Sequence, residues 1–174
     1  MQIRSIVSGI AALALVAGLT ANVSADEKEK SETTLALTDT PAAVQAAIKQ
    51  FAGSNAIEKI TKESEDNTVV YEASVKINGA KQAVEVLADG TVKQTEKTVA
   101  LKDTPAAVQT AVKTFAGAGT VDEIVEETAG GKKNYEVAVM INGKKKEADI
   151  SVDGKIEQDE EKEEHAGHGA GDKD

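Results

Sequence analysis

Shifting the chain along itself by 64 residues brings most of it into register, and this constrains the fold more than any other feature. Residues 37–45 read LTDTPAAVQ, and residues 101–109 read LKDTPAAVQ. Of the 64 positions from 35 to 98, 27 are identical to the residue 64 places on, with no gap in the alignment. Both prolines, both phenylalanines and both tyrosines fall into pairs at this offset: Pro41 and Pro105, Phe51 and Phe115, Tyr71 and Tyr135. Coincidence does not produce such pairing, so the chain reads as a tandem duplication.

Each unit has a legible order of elements. Asp39-Thr40 supplies capping side chains ahead of Pro41, which is tolerated at the first helical position because its missing N–H has no partner there anyway. Val44, Ala47, Ile48 and Phe51 then share one face at helical spacing, and Gly53 is a stop. Val108, Ala111, Val112, Phe115 and Gly117 repeat the pattern. A helix of about 12 residues is marginal in water and needs a surface to pack on.

That surface is a sheet. Val69, Tyr71, Ala73, Val75 and Ile77 alternate with polar residues, Asn78-Gly79 marks a hairpin, and Val84, Val86 and Ala88 line the returning strand before Asp89-Gly90 turns the chain again. The second unit repeats this with Tyr135, Val137, Val139 and Ile141, then Ala148, Ile150 and Val152. A further strand is expected near Ile57–Ser64 and Val121–Thr128. The expected fold class is α+β: two tandem units, each one helix packed on a four-stranded antiparallel sheet. With almost no linker before Val99-Ala100-Leu101, the units are expected to pack together.

The ends carry different information. Arg4 followed by the apolar run Ile6–Leu19 and the small residues up to Ala25 reads as a secretory signal peptide, too short in its apolar part to span a bilayer. The expected organisation is therefore a signal peptide (1–25), an acidic linker (26–34), two repeats (35–98 and 99–160) and a disordered acidic His/Gly tail (161–174). The chain is expected to be exported, periplasmic or secreted, and to carry no membrane span. It has no cysteine, so disulfides cannot support it and lipid cannot be attached through one. With two Phe, two Tyr and no Trp, the core must be built from Val, Ile, Leu and Ala.

Between Leu35 and Ile156, 18 acids stand against 15 lysines, so most of the net charge of −10 sits in the flanks. Arg4 is the sole arginine, and no basic stripe exists for nucleic acid to bind.

The motif order resembles the PepSY and PepSY-like domain family. The pieces are Asp39-Thr40-Pro41-Ala42-Ala43-Val44, Tyr71-Glu72-Ala73-Ser74-Val75 and Asp89-Gly90-Thr91, with their counterparts at Asp103–Val108, Tyr135–Val139 and Asp153–Lys155. Tandem units of this kind are also similar to the β-lactamase-inhibitor-protein architecture. The resemblance implies a non-enzymatic exported protein that binds a protein or peptide, restraining or regulating an envelope or secreted peptidase. It supplies no catalytic residue, and without an attached peptidase the chain would act in trans.

The candidate sites each carry two readings. Tyr71 and Tyr135 read as core residues with their hydroxyls at the rim. Glu72 and Glu136 read as solvated outward strand positions, with nothing in the sequence to bring them together. Lys144, Lys145 and Lys146 read either as lysine protection of an edge strand or as a docking patch for an acidic partner or anionic envelope polymer. His165 and His168, among Glu160, Glu161, Glu163 and Glu164, read either as part of a solvated tail or as a weak site for a divalent transition metal. The latter gives the alternative function, metal sequestration or delivery. No nucleophile sits in a Gly-rich elbow, and no cofactor is expected.

Overall fold

The computed structural model describes residues 32–65 and 68–157. Nine strands form a single antiparallel sheet whose spatial order follows the sequence. They are β1 (Thr33–Thr34), β2 (Ile57–Glu65), β3 (Thr68–Ile77), β4 (Ala80–Leu87), β5 (Val92–Thr98), β6 (Thr120–Ala129), β7 (Lys132–Ile141), β8 (Lys144–Ser151) and β9 (Ile156–Glu157). Two helices interrupt them, α1 (Ala42–Ala52) and α2 (Ala106–Ala116).

This corrects the expected fold class. The chain does not form two helix-on-four-strand units but one continuous, mostly sheet structure. The reason lies in β5, which pairs with β4 on one side (Ala83↔Glu96) and with β6 on the other (Glu96↔Glu127). A strand that uses both its edges leaves no boundary at which one sheet could end.

Both helices cover the same face. Val75, Gln82, Lys97, Glu126, Tyr135 and Ile150 are successive cross-strand neighbours, and residues directly opposite in an antiparallel ladder point the same way. That row contains Tyr135 and Ile150, which pack under α2 with Val108, Val112, Val137 and Val139. Under α1 a separate cluster gathers Val44, Ile48, Ile60, Tyr71, Ala73, Val84 and Val86. The period-2 alternation of the strands thus sends one set of side chains to two apolar cores on one side of one sheet.

The doubled nine-residue stretch is a compact start to each helix. Leu37–Asp39 and Leu101–Asp103 form short 3-10 turns. The Thr40 hydroxyl donates to the Leu37 carbonyl at 2.8 Å, and the Gln45 amide donates to the Thr40 carbonyl at 2.9 Å. Thr104 and Gln109 repeat both bonds at 2.8 Å. Neither Asp39 nor Thr40 caps α1 through its side chain, contrary to expectation: Pro41 occupies the cap, and the buried Thr40 secures the preceding turn instead. The expected C-terminal stops hold, with Gly53 and Gly117 at positive φ.

The Asp-Gly turns have a second role that turn chemistry alone does not reveal. A Cβ on Gly90 would come within 2.9 Å of the Ala43 Cβ, and one on Gly154 within 2.8 Å of the Ala107 carbonyl oxygen. The turn ending β4 or β8 is therefore pressed against the first turn of its helix, and small residues are required on both sides of the contact. Val152, expected on the apolar face of β8, lies beyond the strand and is 47% exposed.

Candidate binding face

The face opposite the helices is covered by no described element, and it carries the acidic residues. Across the sheet, Glu72 stands opposite Glu85, Glu96 opposite Glu127, and Glu136 opposite Asp149, which in turn faces Glu157. Directly opposed side chains sit about 4.5–5.5 Å apart at Cβ, a spacing at which like charges repel. Glu85 and Glu96 are nonetheless only 3% exposed and Glu127 6% exposed. With no helix above them, they are shielded by one another and by neighbouring side chains along the pleat.

Burial and mutual repulsion hold several of these groups well above the ordinary carboxylate range. Burial pushes Glu96 up to about 8, reinforced by the charges of Glu72, Glu127 and Glu85 and opposed by the Gln94 hydrogen bond. Glu72 is raised to about 7 by burial and then by Glu85, Glu63 and Glu32, with Lys59 pulling the other way. Glu136 is raised to about 7 by burial and then by Glu127, Glu147 and Asp149, with Lys145 opposing. The lysines on this face are already engaged: Lys93 with Glu85 at 2.7 Å, Lys145 with Glu147 at 2.6 Å and Lys59 with Glu32 at 2.6 Å. A surplus of carboxyl groups remains.

Glu72 and Glu136 are therefore not the fully solvated strand positions the sequence implied. They are half-buried ends of one carboxyl ladder, joined through Glu85, Glu96 and Glu127. The sequence held a signal for this: Glu at alternate strand positions in both units. It became readable only with the β5–β6 pairing, which brings the two sets to one seam. Tyr71 and Tyr135 are buried on the other face, and the Tyr135 hydroxyl donates to Glu126 at 3.1 Å.

Lys144, Lys145 and Lys146 begin β8, where β9 pairs only with Asp149 and Ile150 among the described residues. They alternate between the two faces: Lys145 reaches Glu147 on the open side, while Lys146 stands opposite Val139 on the helix side. His165 and His168 lie outside the described residues. Among the described residues, no group of three His, Cys, Asp or Glu is placed to hold a metal ion, the carboxyl ladder included. No described helix is long and apolar enough to cross a membrane.

An open antiparallel sheet with helices on one face and a bare acidic face on the other defines a β-rich, BLIP-like architecture. Solved structures share it. A candidate periplasmic protein from Bacteroides eggerthii aligns over 67% of this chain and 85% of its own, with 20% identity and a TM-score of 0.58. A DUF2874-family protein from Bacteroides ovatus aligns over 68% and 85%, at 19% identity and a TM-score of 0.55. A BLIP-like protein from Bacteroides fragilis aligns over 68% and 84%, at 23% identity and a TM-score of 0.53. At these identities the likeness concerns the fold. No protein-family model matches the chain, and no curated protein matches it significantly.

Proposed function

We propose that this chain is an exported, non-enzymatic, PepSY-like binding protein whose helix-free sheet face receives a protein or peptide partner. In its finer form the partner is an envelope or secreted peptidase that the chain restrains. One observation carries the reading: both helices sit on one side of a nine-stranded sheet, leaving the other side bare across the whole molecule. A sheet with one face covered is sufficient for a core, so the second face is free for recognition. The BLIP-like fold shared with the Bacteroides fragilis protein supports the same reading. Export is supported by the N-terminal segment and by the description of the Bacteroides eggerthii relative as periplasmic.

Cross-linking in intact envelopes tests this. The wild-type chain, an open-face variant Met140→Arg, and a variant Gln50→Arg on the exposed surface of α1 are compared. A partner captured by the wild type and by Gln50→Arg, and lost with Met140→Arg, is the expected result. Capture that ignores Met140→Arg refutes the assignment of the face. A captured peptidase whose activity is unchanged removes the restraint and leaves the binding.

A further inference from the structure

The open face is a ladder of facing carboxyl groups running through the join between the two halves, and it has too few cations of its own. Resting on the reading of this face as the binding surface, we infer that its partner presents a lysine- or arginine-bearing segment along the ladder from Glu72 to Glu136, and that docking drives protons off the ladder.

The argument begins with what surrounds each group. Glu96, at the centre of β5, meets Glu85 and Glu72 from the β4 and β3 side, Glu127 from β6, and Gln94 on its own strand. Lys93 is the cation on that strand, and it is drawn to Glu85. Glu136 meets Glu127 from β6, and Glu147, Asp149 and Lys145 from β8, with Glu157 beyond on β9. Glu72 meets Glu85 from β4, and Glu63, Lys59 and Glu32 from the β2 side. At every station carboxyls outnumber ammonium groups. A partner of opposite charge is what this surface lacks, whereas an acidic or neutral occupant would leave the repulsion in place.

Proton exchange follows from the same geometry. Burial and repulsion raise Glu96 to about 8 and Glu72 and Glu136 to about 7, so near neutral pH the ladder holds protons that isolated glutamates would have lost. An ammonium or guanidinium group placed against the ladder stabilises the ionised form. The carboxyl O–H bond breaks, its proton passes to solvent, and the carboxylate pairs with the incoming cation. By linkage, a partner that expels protons binds more tightly as pH rises. Acidification refills the ladder and releases it.

The chain's own flanks are strongly acidic and do not fit this occupant. A second copy offering its Lys144–Lys146 segment is the competing occupant, and the test separates it.

The experiment uses the exported chain from Asp26 onward and a short synthetic peptide alternating lysine and threonine, with matched peptides carrying glutamate or serine for lysine. Calorimetric titration in two buffers of different ionisation enthalpy counts protons. The lysine peptide is expected to bind about tenfold more tightly near pH 8.5 than near pH 6, releasing on the order of one proton per peptide near pH 7. The double variant Glu96→Gln, Glu136→Gln is expected to weaken binding by about tenfold and to abolish most of the release. Asp39→Asn, an exposed acid outside the sheet, is expected to change neither. The acidic flanks attract the peptide equally in every variant, so the difference between variants reports on the ladder. Circular dichroism confirms that the isosteric variants fold.

Binding without proton release, equal binding of the serine peptide, or an unchanged double variant each overturns the inference. So does self-association, seen by sedimentation at pH 8.5, that excludes the peptide. Any of these, alongside envelope capture that still depends on Met140, sinks the basic partner and leaves the binding face standing.

Discussion

The two faces of this sheet are made from alternate residues of the same strands, yet they obey opposite rules. Beneath the helices, Val44, Ile48, Val84, Val108, Val112, Val137 and Ile150 are fully buried among apolar neighbours. On the open face, residues one step along the chain place Glu72 against Glu85 and Glu96 against Glu127. Stability was concentrated on one side, and the other side tolerates repulsion that a purely structural surface has no reason to keep. Free energy gained in the cores offsets the strain of the ladder.

The sharpest way to break this comparison is to remove apolar volume from each face. Ile48→Ala is expected to cost about 2–5 kcal/mol, because the methyls it deletes leave a cavity against α1 that the sheet cannot close. Leu87, half-buried on the open face opposite Val70, is expected to cost less than about 1.5 kcal/mol when changed to Ala. Denaturant unfolding measures both. Equal losses would mean that the open face holds a core of its own.

The contact between turn and helix ranks next. Gly143 and Gly154 both have positive φ, 78° and 83°, but a Cβ at Gly143 meets open space. Gly143→Ala is expected to cost about 1 kcal/mol for its backbone conformation alone. Gly154→Ala adds the clash with Ala107 and is expected to cost about 2–4 kcal/mol in all. If the two variants unfold at the same denaturant concentration, the turn does not clamp the helix.

These effects show where the sequence was legible and where it was not. The helices, their glycine stops, the Asn-Gly hairpins and the apolar stripes all follow from local chemistry and were readable residue by residue. Duplication of the chain also set the register: Thr33↔Lys62 and Thr34↔Thr61 recur 64 residues later as Lys97↔Glu126 and Thr98↔Val125. What could not be read was that β5 would offer its second edge to β6. Edge pairing depends on backbone groups that every residue carries, so no side chain announces it. The carboxyl ladder depends wholly on that pairing. Its members looked like ordinary outward glutamates because half of each charged neighbourhood comes from the other half of the chain. The threonine–glutamine bonds at each helix start were hidden for a related reason, since a cap and a 3-10 turn use the same residue types.

Titration sharpens the contrast by a smaller amount. Folded Glu96 keeps its proton up to about pH 8, whereas an unfolded glutamate loses it near 4.5. Between those values the native state binds more protons than the unfolded state, so stability falls as pH rises through the window. Glu72 and Glu136 add falls of the same sign up to about pH 7. Glu96→Gln removes the penalty, and is expected to raise stability by about 1–2 kcal/mol at pH 9 while leaving it unchanged near pH 4. Thermal melts across pH check this. A variant that gains equally at both ends would show that packing, not charge, was relieved.

The smallest effect concerns the two tyrosines, the one pair of matched residues whose surroundings differ across the duplication. Tyr135 stands opposite Glu126, which accepts its hydroxyl at 3.1 Å and also takes a 2.7 Å hydrogen bond from Lys133. Burial opposes the charge of Glu126, but the bonds from Lys133 and Tyr135 outweigh it and hold the carboxyl below its usual range. In the first half Tyr71 stands opposite Lys62 instead, and Val69 replaces Lys133. Tyr135→Phe is therefore expected to cost about 0.5–1.5 kcal/mol through the lost hydrogen bond. Tyr71→Phe keeps the ring in its core and is expected to cost no more than about 0.5 kcal/mol. The deficit of Tyr135→Phe should shrink as pH falls far enough to protonate Glu126, because a neutral acceptor makes the weaker bond. Chemical denaturation of both variants at neutral and acid pH decides it. Matching losses at both pH values would place the contribution in the rings and leave the polar rim of the helix side without energetic weight.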